Sequence, residues 1–186
     1  MTREILLEQL RRHQPFTEEE AEMTQRLTAF VEAHADCFAR SLLIGHITSS
    51  AWILDLDRTH TLLTHHGKLD KWLQLGGHTD GDADVLGSAL REAREESGVA
   101  EVTAISAEIF DVDIHRIPAR KTEPEHFHYD VRFLLQADRA VPLAITSESK
   151  DLRWVPLGEV EQLTQEESVL RMLRKTRTRF AQAAHR

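Results

Sequence analysis

The chain has 186 residues, 41% of them hydrophobic, which suits one domain of ordinary size with a real core plus an extension. A net charge of -8 argues against a broad nucleic-acid-binding face, and the single cysteine, Cys37, excludes an internal disulfide framework and fits a reducing compartment. Residues 1–14 are charged and carry no apolar signal core, and no run approaches membrane-spanning length, so a soluble cytoplasmic protein without a membrane partner is expected.

Residues 1–40 read as a helical extension. Ile5, Leu6 and Leu10 make a short apolar stripe that Pro15 interrupts, and Thr17-Glu18-Glu19-Glu20 reads as a capping box opening a second helix. In that helix Met23, Leu27, Phe30 and Val31 recur at helical spacing. The expected role of the extension is to pack on the domain formed by residues 41–186, with mediation of a homodimer as the alternative. The Cys37 thiol reads as a small buried hydrophobe rather than a nucleophile.

From about residue 44 the pattern changes to strands. Ile47 to Leu56 and Thr61 to Thr64 form a hairpin-like pair, and Trp72 to Leu75 form a short strand leading into Gly76-Gly77. Val102 to His115 and Phe127 to Gln136 read as long strands, Leu152 to Val155 as a last short one. A final helix runs from about Glu166 to Ala183, with Val169, Leu170, Leu173 and Phe180 inward and Arg171, Arg174, Lys175, Arg177 and Arg179 as a solvated face. Strands first, one central helix, more strands and a terminal helix imply an α/β sandwich with a mixed sheet.

The central helix carries the most informative residues, Arg91-Glu92-Ala93-Arg94-Glu95-Glu96-Ser97-Gly98-Val99. Glu92 and Glu96 lie one turn apart on one face with Glu95 beside them, and like charges at that spacing cost a few tenths of a kcal/mol, on the order of 0.2–0.5. A hard divalent cation reverses that sign, because it prefers carboxylate oxygens. Such clusters also occur on solvated helix faces, where Arg91 would pair with Glu95. Gly98 fits the left-handed position that ends the helix.

Together with Gly77, these residues resemble the signature of the Nudix hydrolase family, G-x5-E-x7-R-E-U-x-E-E-x-G-U with U a bulky apolar residue. The match covers Gly77, Arg91, Glu92, Glu95, Glu96, Gly98 and Val99, whereas the first signature glutamate falls on Ala83, between Asp82 and Asp84, and the first U on Ala93. The resemblance covers about residues 44 to 180 and implies the Nudix-type α/β/α sandwich. It further implies a metal-dependent hydrolase that cleaves a diphosphate linkage in a small-molecule nucleoside diphosphate derivative. Glu92, Glu95 and Glu96 would hold Mg²⁺ or Mn²⁺, and Arg91 would hold a glutamate in place. Of the catalytic set Arg91, Glu95, Glu96 and Glu148, the last is the candidate general base, being a loop carboxylate just before the last strand. Glu123 and Glu125 are weaker candidates of the same kind.

The candidate substrate-binding residues are Gly76, Gly77, His78, His128 and Asp130. Strand period two puts His126, His128, Asp130 and Arg132 on one face, opposite Phe127, Tyr129 and Val131. That polar row could line a cleft and meet substrate phosphate or base, hold a transition metal, or be an exposed sheet face. Trp72 and Trp154 read as core or cleft-wall residues, with stacking on a base as the alternative. Two alternatives to hydrolysis are a non-catalytic nucleotide-metabolite sensor and an enzyme like the isopentenyl-diphosphate isomerases. Retention of the three box glutamates argues against the first, and the distance of Cys37 from the glycine region argues against the second.

Overall fold

The computed structural model describes residues 3–120, 124–147 and 149–183, with the backbone alone for 182 and 183. The elements run α1 (Arg3–Arg12), α2 (Glu18–Ala33), β1 (Gly45–Asp55), β2 (His60–His66), β3 (Lys71–Leu73), β4 (Leu75–His78), α3 (Val85–Ser97), β5 (Thr103–Ala104), β6 (Asp111–Ile117), β7 (His126–Ala137), β8 (Ser149–Pro156), α4 (Val160–Leu163) and α5 (Glu167–Ala183).

All eight strands belong to one mixed sheet. Its spine is the parallel pair β1 and β7, in register from Gly45 opposite Phe127 to Asp55 opposite Ala137. On its other edge β1 pairs first with β4 and then with β2, while β7 pairs with β6 and β5. Alternate residues of β1 feed two cores. Ile47, Ala51 and Ile53 pack with α1, α2 and α3, whereas Trp52 and Leu54 pack with Val169, Met172 and Leu173 of α5. Helices therefore cover both faces of the sheet, giving an α/β/α sandwich. Trp52 is fully buried, and its indole N–H donates to Thr176 Oγ1 at 2.9 Å, so burial leaves no donor unmet.

The N-terminal helices pack into the first of these cores. Leu6, Leu7, Leu10, Met23, Leu27, Phe30 and Val31 are buried there with Cys37, and Phe30 stacks on Tyr129 of β7 with ring centroids 3.9 Å apart. The apolar stripe of α1 differs from the expected one: Leu7 turns inward, and Ile5 is 43% exposed. The capping box is half formed. Thr17 accepts from the Glu20 N–H at 3.1 Å, but the Glu20 carboxylate accepts from Phe16 N and Val112 N and joins a buried ion network instead of returning to Thr17.

Two expected strands are each divided. Trp72 to Leu75 breaks at Gln74, where the chain leaves β2 as β3 and joins β1 as β4. Val102 to His115 breaks between Ala104 and Asp111. In that gap the Ala107 carbonyl accepts from Gln9 Nε2 at 3.0 Å, and His13 Nδ1 lies 3.2 Å from the Ile109 carbonyl. Side chains of the N-terminal segment thus satisfy backbone groups that a continuous strand would have paired within the sheet.

Candidate active site and histidine-lined cleft

Helix α3 is set by its two ends. Asp84 caps the start, accepting from the Gly87 N–H at 3.0 Å, and Gly98 ends it with φ 72° as its N–H donates to the Arg94 carbonyl. Ala83 packs against the core, and Asp82 accepts from the Asp84 N–H, so neither flanking carboxylate substitutes for a glutamate at Ala83. The buried stripe Val85, Ala89 and Ala93 faces the sheet, and Ser49 of β1 donates to the Val85 carbonyl at 2.6 Å. This seats the acidic face of the helix against β4.

The glycine pair makes that contact close. A Cβ on Gly77 would lie 2.6 Å from Glu92 Oε2 and 2.7 Å from its Cδ, so the carboxylate occupies the space a side chain would need. Gly76, at φ 152°, runs along β1, where a Cβ would lie 2.6 Å from the Ser49 carbonyl oxygen. Its N–H donates to Glu96 Oε2 at 3.0 Å. Arg91 Nη1 lies 2.7 Å from Glu92 Oε1 and 3.2 Å from Glu95 Oε2, while Nη2 donates to the His78 carbonyl at 2.9 Å. Burial pushes the Glu92 carboxyl above its ordinary range, and the Arg91 cation opposes that rise. Arg91 therefore ties two box glutamates to the strand that carries the glycines.

Gly76, Gly77 and His78 also line a cleft of roughly 920 Å³ over the polar part of the sheet. Its floor is read from strand register. His46 of β1 is level with His128 of β7, which is level with His115 of β6; Thr48, Asp130 and Asp113 form the next row. The row His126, His128, Asp130 and Arg132 is thus a cleft floor rather than an exposed sheet face. His46, His126, Asp130 and Arg132 are buried. Burial lowers His46 to about 4 and His128 to about 2, with the neighbouring histidines adding to both shifts, so both rings are neutral near pH 7.

Among the described residues, the three side chains that bring potential metal-ligating atoms within 4.8 Å of one another are His46, His78 and His128. Glu92, Glu95 and Glu96 are not gathered in this way: Glu92 and Glu95 turn to Arg91, and Glu96 to the Gly76 N–H. Asp130 accepts from Thr48, Ser50 and Arg132, which ties it into the floor.

Beyond Asp130 the floor becomes an ion network. Arg132 and Arg171 meet Asp111 and Asp113, and Lys175 meets Asp111 and Glu20. This corrects the expected solvated face of the last helix. Arg171 is 1% exposed and Lys175 7%, because β6 and α2 present carboxylates to them; Arg174, Arg177 and Arg179 remain on the outer side. Trp72 and Trp154 are half-buried at the edges of the two cores rather than inside them, Trp72 stacking on His65 with Arg153 over its ring.

Glu148 and Glu123 lie outside the described residues; Glu125 is exposed and paired with Arg116. His46 and His115 are the site residues that sequence reasoning missed. The signal for His46 was the alternation His46, Thr48, Ser50 against Ile47, Ser49, Ala51, which extends the strand pattern one step further back.

The family model for the NUDIX domain matches residues 46–175. No curated protein sequence matches the chain. Among solved structures, an Ap4A hydrolase of C. elegans is similar with a TM-score of 0.59 and 17% identity, over 73% of this chain and 97% of that one. A NUDIX family hydrolase from Clostridium perfringens is similar with a TM-score of 0.54 and 24% identity, over 70% and 95%. The dihydroneopterin triphosphate pyrophosphohydrolase of E. coli gives 0.53 and 14%, over 71% and 92%. At these identities the likeness is one of fold.

Proposed function

This chain belongs to the NUDIX domain family, and we propose that it is a pyrophosphohydrolase that cleaves the P–O–P linkage of a nucleoside diphosphate derivative with Mg²⁺ or Mn²⁺ on Glu92, Glu95 and Glu96. The observation that carries this reading is the contact of the acidic face of α3 with a glycine pair that also lines the cleft. The donor set fits a hard divalent ion: carboxylate oxygens only, with one carboxylate seated where a Cβ on Gly77 would lie. When bound, such an ion neutralises phosphate oxygens and lowers the pKa of a water.

The protein's own groups supply the order. Arg91 pairs with half-buried Glu92 and with exposed Glu95, and the Gly76 N–H holds Glu96, which orders the acidic face of the helix beside the glycines. Arg40, Lys68, Lys71, Arg116 and Arg120 line the cleft of a chain whose net charge is -8, which supports an anionic substrate. The cleft volume suits a small molecule of nucleotide size. Gly76, Gly77 and His78 form its wall beside the glutamates, with His128 and Asp130 in the floor.

In the reaction the oxygen of a water forms a bond to phosphorus while the bridging P–O bond breaks. The leaving phosphate departs as an anion, and the proton of the water passes to a carboxylate. Glu148 is the proposed acceptor, with Glu95 and Glu96 the other proposed catalytic carboxylates; Ser147, the residue before Glu148, lines the cleft, which supports that assignment.

The test is product release from a panel of nucleoside diphosphate derivatives with and without Mg²⁺ or Mn²⁺, beside Glu96→Gln. Metal-dependent turnover that falls by about a hundredfold or more in the variant is expected. Undiminished turnover in Glu96→Gln, or turnover in chelator alone, contradicts the reading.

A further inference from the structure

We infer that His46, His78 and His128 form a second metal site, distinct from the glutamates of α3, that takes a divalent transition ion of the zinc class at the base of the cleft. Three imidazoles drawn from β1, β4 and β7 bring ligating atoms within 4.8 Å of one another. The rings crowd together, with centroids 4.8 Å apart for His46 and His128, 5.0 Å for His46 and His78, and 5.1 Å for His78 and His128.

The independent observation is His46. It is 2% exposed, yet neither ring nitrogen has a hydrogen-bond partner. Leaving a buried polar group without a partner is unfavourable, and an ion that takes the imidazole lone pair satisfies one of the two ring nitrogens. Imidazole is the ligand that zinc, cobalt and nickel share, whereas Mg²⁺ prefers oxygen.

A second layer orders the set. The Pro124 carbonyl can only accept, so His126 Nδ1 donates to it at 2.9 Å, which orients the ring. His126 Nε2 then lies 3.3 Å from His128 Nε2, a contact that engages this nitrogen of His128 and leaves Nδ1 as the ligating atom. Outer hydrogen bonds of this kind fix the tautomer and orientation of ligating histidines. His115 Nδ1 is held by Asp113 at 3.4 Å, which places a polar ring beside His128 without adding it to the set. Three protein ligands would leave a tetrahedral ion one open position, and all three histidines line the cleft, from which water or a substrate oxygen anion would complete the set.

The test uses tag-free, chelator-treated full-length protein. Zinc content after dialysis, the visible spectrum with Co²⁺ and zinc titration are measured for wild type, His128→Ala, His78→Asn and Glu96→Gln, with near-ultraviolet circular dichroism as the folding control. One ion per chain, a tetrahedral cobalt spectrum and affinity weakened about tenfold or more in each histidine variant are expected, with Glu96→Gln binding like wild type. Half-buried His78 keeps the test valid should His128→Ala fail to fold. Substoichiometric binding to wild type, unchanged affinity in folded histidine variants, or loss of zinc binding in Glu96→Gln overturns the inference. None of these readouts involves turnover, so this site and the hydrolase reading stand or fall separately.

Discussion

Gly76 and Gly77 sit side by side and do different jobs, which two alanine substitutions separate. At Gly77 the added Cβ meets the end of the flexible Glu92 side chain, which can swing aside. Gly77→Ala is therefore expected to cost little stability but to displace a proposed metal ligand, lowering kcat by about tenfold or more. At Gly76 the Cβ meets Ser49 and Ser50 backbone at 2.6 Å from a φ of 152°, so Gly76→Ala is expected to lower folding stability by about 1–3 kcal/mol. Urea unfolding beside steady-state kinetics checks both; equal stability loss in the two variants contradicts the distinction. At this scale the sequence carries the acidic box plainly, because its spacing is local to one helix. The histidine site is hidden, because His46, His78 and His128 lie on three strands that only the sheet register aligns.

At the scale of elements, α2, β6 and α5 are joined by buried charge. Burial alone would raise the Glu20 carboxyl, but the His13 hydrogen bond and the Lys175 ammonium outweigh it and hold the group down at about 2. Its folded value lies below the ordinary 4.5, so the unfolded chain binds more protons between the two. The resulting stabilisation, about 3 kcal/mol, is complete above the ordinary value and is lost as pH falls toward about 2. Urea midpoints should therefore drop steeply below about pH 4.5, and Glu20→Gln should flatten that part of the profile. Lys175→Met leaves Glu20 and Asp111 without their ammonium partner, and a loss of about 3–5 kcal/mol is expected near neutral pH. A Lys175→Met midpoint equal to wild type would show the network to be dispensable.

The same network explains what the amphipathic pattern of α5 conceals. Val169 and Leu173 follow the apolar stripe inward as expected, but hydropathy counts Arg171 and Lys175 as surface because it cannot see carboxylates arriving from β6 and α2. Strand breaks are hidden for a related reason. Val102 to His115 has β composition throughout, and the segment that leaves the sheet bonds instead to Gln9 and His13, about a hundred residues earlier in sequence.

For the whole molecule, the order of strands and helices identifies the sandwich because periods of two and of 3.6 alternate cleanly along the chain. The cleft needs the assembled sheet. Its floor is polar, and its lining gathers arginines and lysines within an acidic chain. The central claim is that this cleft presents a phosphoanhydride to water beside the carboxylates of α3. The most direct measurement is turnover of the nucleoside diphosphate panel in isotopically labelled water with Mg²⁺, with mass analysis of the products. The account predicts labelled oxygen in a phosphate product, no label without the metal, and loss of labelled product in Glu96→Gln. Turnover that leaves every phosphate unlabelled, or label incorporated equally without metal, would contradict it.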